Sequence, residues 1–100
     1  MPRPRRDWTE ARGKVETEAR CRVCKRTDRG LEAAHVMGRK YDPRDGRVEP
    51  DDVVPLCRDC HVEFDLRRLD LLPYLTIAEQ ARAVSHVGIA RALRRISQSD

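Results

Sequence analysis

Four cysteines, three histidine and aspartate side chains near them, and their spacing carry the chemistry legible in this chain. Cys21 and Cys24 form one Cys-x-x-Cys pair, Cys57 and Cys60 a second. Together they supply four soft sulfur ligands, enough for a closed tetrahedral zinc site. Such a site leaves no position for substrate, so its zinc is structural. The stretch between the pairs, residues 25–56, holds 32 residues, more than the gap of roughly 15–20 in common zinc ribbons. The zinc therefore closes a large loop with room inside it for something else. His61 directly follows Cys60, and Asp65 stands four residues further on. On a helix, positions i and i+4 share a face, so this imidazole and carboxylate can grip one cation. Two ligands with several open positions suit a divalent ion that keeps water and takes a phosphate oxygen. The plainer alternative packs His61 beside the cysteines and pairs Asp65 with Arg68 or Arg58. A lone histidine, His35, lies between the two cysteine pairs.

The bulk composition says why a staple is needed. A chain of 100 residues with 39% hydrophobic content and 4% aromatics is one small domain whose apolar burial alone leaves it marginal. No apolar segment follows the basic start at residues 1–6, so neither a secretory signal nor a membrane span is expected. The expected compartment is cytoplasmic, in a bacterial or phage-infected cell, where x-x-spaced cysteines favour metal over disulfide. The net charge is +4, unevenly spread: residues 1–30 carry ten Arg/Lys against five acids, residues 31–75 seven against ten. A basic arm joined to an acidic middle points to a polyanion outside and a cation inside, unless it is ordinary solvated surface.

The elements that position these residues follow from periodicity and turn chemistry. Residues 1–6 form a Pro/Arg arm that cannot be helical and is expected to stay disordered until it meets phosphate. Asp7 or Thr9 caps a helix to about Ala19, with Trp8, Ala11 and Val15 on one face. Trp8 reads as an anchor to the core rather than a base-stacking ring. Cys21 to Cys24 reads as a zinc knuckle, and residues 31–37 as a strand. Alternation puts Leu31, Ala33, His35 and Met37 on one strand face and Glu32, Ala34 and Val36 on the other. Residues 38–52 read as a long polar loop whose Arg39, Lys40, Arg44 and Arg47 are candidate phosphate ligands. A short strand at 53–56 is confined to an edge or end by Pro55. A helix from 58 to about 69 follows, with Phe64 turned inward. Leu71-Leu72-Pro73 breaks it, and the capping box Thr76-x-x-Glu79 opens a last helix to about Ser97. On that helix Ile77, Ala81, Val84, Leu93 and Ile96 form the apolar stripe, Gly88 is a soft spot, and His86 is expected at the surface.

Cys-x-x-Cys, then Ala34-His35-Val36, then Asp52-Val53-Val54-Pro55-Leu56-Cys57-x-x-Cys60-His61 closely resembles the HNH endonucleases, whose second half reads Asn-Leu-Val-x-Leu-Cys-x-x-Cys-His. The resemblance covers roughly residues 21–66. It implies an α+β fold with a small zinc-stapled ββα-metal (HNH, His-Me finger) core and flanking N- and C-terminal helices. The implied division is residues 1–20 as basic arm and helix, 21–70 as core, and 71–100 as a helix packed on it. It also implies a metal-dependent nuclease that hydrolyses phosphodiester bonds, with His35 as general base and His61 as metal ligand. Asp65 falls where some members carry a further metal-binding histidine.

Asp52 stands in place of the family's asparagine, which pins the loop and orients the base. As a carboxylate it is expected to accept a hydrogen bond from the imidazole or from loop amides. Ala34 stands where many members carry a metal ligand, leaving the ion on His61, Asp65 and water, with Glu32 as a possible helper. The implied cofactors are structural Zn2+ and a catalytic divalent ion, Mg2+, Mn2+, Ni2+ or Zn2+. The implied partner is double-stranded DNA, gripped by Arg3, Arg5, Arg6 and the 38–52 loop. The chain is expected to be a monomer, acting alone or beside a larger phage or bacterial DNA-processing protein. The alternative is a zinc-stapled DNA-binding or adaptor module that no longer cuts.

Overall fold

A computed structural model describes residues 6–28, 30–41 and 46–97, Arg39 by its backbone alone. The central unit is an antiparallel pair, β2 (Leu31–His35) and β4 (Val53–Cys57), in register from Leu31 opposite Cys57 to His35 opposite Val53. Every residue of β4 is buried. Alternate side chains enter different cores: Val53 joins Ala11 and Val48, while Val54 and Leu56 join Cys21, Phe64, Leu71 and Ile96. A strand covered on both faces reads as a continuous apolar run, and 53–56 does. Pro55 is tolerated because a two-stranded sheet is all edge, and its carbonyl accepts the Arg22 amide at 2.8 Å.

Helix α1 (Thr9–Glu18) covers one side of this pair with Ala11 and Val15 buried, and Asp7 Oδ1 accepts the Thr9 amide at 2.9 Å. Before it, β1 (Arg6–Asp7) pairs in parallel with β3 (Gly46–Arg47). The 38–52 stretch therefore has local order of its own: β3 and two short 3-10 turns, Arg39–Tyr41 and Pro50–Asp52.

Helix α2 (Arg58–Asp65) follows β4 directly and buries Phe64. It stops about four residues short of the expected end. Arg67 adopts a left-handed φ of 59°, and its amide bonds Phe64 O at 3.0 Å while that of Arg68 bonds Glu63 O at 2.9 Å. This is a Schellman termination with arginine in place of the usual glycine, so no residue type announced it.

The expected last helix is two. Helix α3 (Ile77–Val87) opens on the capping box of Thr76 and Glu79, and α4 (Ile89–Ile96) follows a break at Gly88. The glycine sits at φ 83°, a conformation that side-chain-bearing residues rarely adopt. The apolar stripe also differs from expectation. Ile77 is 85% exposed and Ala81, Val84 and Leu93 face outward, whereas Glu79, Ala83, Ala92 and Ile96 are buried. Glu79 explains the rotation. Its carboxylate accepts from Arg22 Nη1 at 2.7 Å and from Lys14 Nζ, and Lys14 also donates to Pro50 O and Val53 O at 2.8 Å each. The face of α3 that turns inward is the one carrying this acid.

Candidate functional site

The cysteines converge from two segments that 32 residues separate in the chain. All four are free thiols, and their ligand atoms lie within 4.8 Å of one another. Cys24 Sγ and Cys57 Sγ are 3.7 Å apart, matching the spacing of about 3.8 Å for sulfurs bound tetrahedrally at 2.3 Å. The first pair sits in a tight turn: the Cys21 amide donates to Arg26 O and the Lys25 amide to Cys21 O, both at 3.0 Å, with Lys25 at φ 66°. The second pair spans the start of α2. Burial works against ionising Cys21, yet amides of Cys57, Cys24 and Val23 aimed at its sulfur outweigh it and bring the thiol down to about 6. Cys60 is driven strongly upward, first by burial and then by the Cys57 and Cys21 sulfurs. Four thiols so crowded cannot all ionise without a cation among them. A bound Zn2+ supplies that charge, and the four-sulfur donor set fits it.

The histidines meet elsewhere. A cavity of about 290 Å³ is lined by Ala33, His35, Gly38, His61, Asp65 and Arg95. His35 comes from the end of β2, His61 and Asp65 from one face of α2, and Arg95 from α4. Trp8 meets the His35 ring edge-on, centroids 5.2 Å apart at 88°. It thereby links α1 and a small apolar cluster to the cavity wall.

His61 stands between two carboxylates. Its Nδ1 lies 2.7 Å from Glu32 Oε1 and its Nε2 3.6 Å from Asp65 Oδ2. An ionised carboxylate only accepts, so Glu32 accepts a hydrogen bond from Nδ1 and leaves Nε2, on the side of Asp65, as the nitrogen that could bind a cation. The hydrogen bond from His61 holds the Glu32 carboxyl below its ordinary range, with burial opposing and Arg58, 3.4 Å away, assisting. Carboxylate behind, imidazole in front is the usual support of a metal-ligating histidine. Asp65 contacts Arg95 at 3.5 Å, whereas Arg58 pairs with Glu32 and Arg68 stands 4.0 Å from Glu63.

Residues 21–69 match the family model described as HNH endonuclease. This segment belongs to that family. The match suggests a nuclease-type function and agrees with the zinc-stapled α+β core. Searches of curated proteins and of solved structures returned no significant match.

The departures from the HNH pattern now have surroundings. Ala34 is fully buried with Val54, Leu56 and Phe64, and the cavity wall on β2 is made by Ala33 and His35. Asp52 is 7% exposed, and its Oδ1 accepts from Arg82 Nε at 3.0 Å and His86 Nε2 at 2.8 Å. Both donors come from α3, which packs on the turn holding Asp52. The main chain ties the same residue to β2, because the Val36 amide donates to Asp52 O at 2.9 Å. His86 is thus partly buried and stacked on Tyr41, centroids 5.0 Å apart, not a surface residue. Residues 82 and 86 are four apart on one helix, a spacing that could have singled them out as partners of a carboxylate.

Of the candidate phosphate ligands, Arg3, Arg5 and Arg44 lie outside the described residues, as does the side chain of Arg39. Arg6 lies in β1. Lys40 reaches over the Tyr41 ring at 5.2 Å. Arg47 is neutralised locally by Glu10 at 2.8 Å and Glu49 at 2.5 Å, which lowers its value as a phosphate ligand. No helix among the described residues is long and apolar enough to cross a membrane.

Proposed function

We propose that this chain is a metal-dependent endonuclease that nicks or cuts double-stranded DNA by hydrolysing a phosphodiester bond. The reading rests on His35, His61 and Asp65 sharing one cavity within a segment of HNH type. His35 acts as general base, taking a proton from a water in line with the scissile P–O bond. That water's oxygen bonds to phosphorus, and the leaving oxygen departs with the electrons of the broken bond. His61, through Nε2, and Asp65 would hold a divalent cation, Mg2+, Mn2+, Ni2+ or Zn2+, which when bound stabilises negative charge developing on phosphate oxygens. Glu32 keeps His61 in the required tautomer. Trp8 restricts rotation of the His35 ring, and the main-chain bond of Asp52 fixes the end of its strand. The four-cysteine zinc takes no part in the reaction.

Supercoiled plasmid incubated with zinc-loaded protein and each divalent ion tests this reading. Wild type is expected to convert it to open-circle or linear DNA, and His35→Ala to be slower by about 10²–10⁴-fold, the span of general-base catalysis. Equal, intact plasmid with both proteins under every metal ends the enzyme reading.

A second reading, a zinc-stapled binding module that does not cut, draws on two observations: Ala34 sits in the core, and Asp65 is engaged by Arg95. It predicts salt-sensitive DNA binding and one metal per chain. Any Mn2+ retained beyond the single zinc, counted by metal analysis, excludes it.

A further inference from the structure

We infer that Arg95 is a phosphate-binding residue of the cavity, so that the reacting site extends beyond the HNH segment into the last helix. The inference rests on the cavity being a phosphodiester site. Arg95 is 26 residues past the end of the matched segment (95 − 69), yet its side chain lines the same cavity as His35 and His61. It is held there from three sides. Nε donates to Val36 O at 3.3 Å, the guanidinium carbon lies 4.3 Å over the Phe64 ring, and Nη2 is 3.5 Å from Asp65 Oδ1. A planar guanidinium so fixed is a suitable fork for phosphate oxygens.

At 3.5 Å to a carboxylate 57% exposed, the Arg95–Asp65 pair is long and solvent-screened. Moreover, the cation faces the position that His61 and Asp65 would give to a divalent ion, and like charges repel there. A phosphate between them reverses the sign of both interactions, since the metal and the guanidinium then bracket one anion. Arg91 and Arg94, one turn earlier and adjacent on α4, are exposed. Arg91, four residues before Arg95, shares its helix face and adds an exposed positive charge there.

Two opposite effects follow for Arg95→Gln. Without DNA, the zinc-loaded variant is expected to bind Mn2+ several-fold more tightly than wild type, because Asp65 is released and a like charge removed. With DNA, it is expected to bind a fluorescent duplex more weakly, with the slope of log affinity against log salt shallower by about 0.9, one phosphate contact. By reciprocity the duplex should raise the Mn2+ affinity of wild type more than that of the variant. Cleavage should fall by about 100-fold, as for loss of one preorganised donor at a transition state. Arg95→Lys, which retains charge and stem, should keep the salt slope while cutting more slowly than wild type, and it serves if the glutamine variant does not fold. Arg91→Gln should change the slope without tightening Mn2+.

Unchanged duplex affinity and salt slope in Arg95→Gln, or weaker Mn2+ binding without DNA, overturn the inference. Should wild type leave plasmid intact with every metal, the nuclease reading fails while the duplex and Mn2+ arms still decide Arg95. Absence of wild-type duplex binding overturns both.

Discussion

The cysteine cluster and the histidine cavity share one short helix, α2, and are built on opposite plans. Around the cysteines the ligand set is complete, although Cys24 itself stands at the surface. Four sulfurs face one point, and behind them Arg22, inside the knuckle, is locked to Glu18, Glu79 and the Tyr74 carbonyl at 2.6–2.9 Å. Glu79, 1% exposed, is matched by Arg22 and Lys14. In the cavity the contacts are longer and more exposed: Asp65, 57% exposed, lies 3.6 Å from His61 and 3.5 Å from Arg95. Closed charge sets hold shape, whereas a set joined by long, solvent-exposed contacts is ready for a ligand. A small chain can afford the second only because the first is complete.

The sharpest test of this contrast is Cys57→Ser. Apparent zinc binding energies of about 10–16 kcal/mol are of the order that decides whether such a domain folds at all. The variant is expected to lose its zinc and its cooperative melting transition. A native-like circular dichroism spectrum and melting curve would show that the cluster is dispensable. Glu79→Gln comes next, because it removes the buried charge that Arg22 and Lys14 share, leaving Arg22 with Glu18 and Lys14 with the Pro50 and Val53 carbonyls. It should cost about 3 kcal/mol in denaturant titration. The wild-type carboxyl is held at about 2 instead of 4.5: burial opposes the shift, but bonds from Arg22 and Lys14 outweigh it. Its contribution is therefore full above pH 4.5 and lost as the pH falls toward 2. The variant's stability should lack that acid-dependent component, and identical acid profiles would contradict the assignment. In the cavity, Glu32→Gln should leave melting nearly unchanged while lowering second-metal affinity, read by Mn2+ titration, by about 10–100-fold. A large loss of stability instead would make Glu32 part of the staple.

The same contrast sets what could be read from the chain. Ligand spacing is local, so the cysteine pairs, His61 and Asp65 were visible as motifs, and β4 showed itself through its apolar run. The C-terminal half was less legible because polar groups determine it. Hydrophobic periodicity turned α3 the wrong way, since the buried position is a glutamate matched by cations 57 and 65 residues away. Arg67 ends α2 in a conformation that glycine normally announces. Arg95 and Arg82 lie far in sequence from the motifs, and only the packing of α3 and α4 brings them to the cavity and to Asp52. Gly88 alone hinted at the break.

Asp52→Asn is the smallest change and the most discriminating at the boundary between the two regions. It restores the HNH asparagine at a site where two donors, Arg82 and His86, converge on Oδ1. An amide oxygen has the same two lone pairs, so both bonds can persist, but they lose their charge-assisted component. Stability should fall by about 1 kcal/mol, a drop in Tm of about 4–8 °C for a domain of this size. Cleavage should change less than tenfold, because the link from residue 52 to the His35 strand is the main-chain bond to Val36, which substitution leaves intact. A loss of 100-fold or more in cleavage with no change in Tm would show the reverse. It would mean that the carboxylate itself governs His35 and that its bonds to α3 are incidental to catalysis.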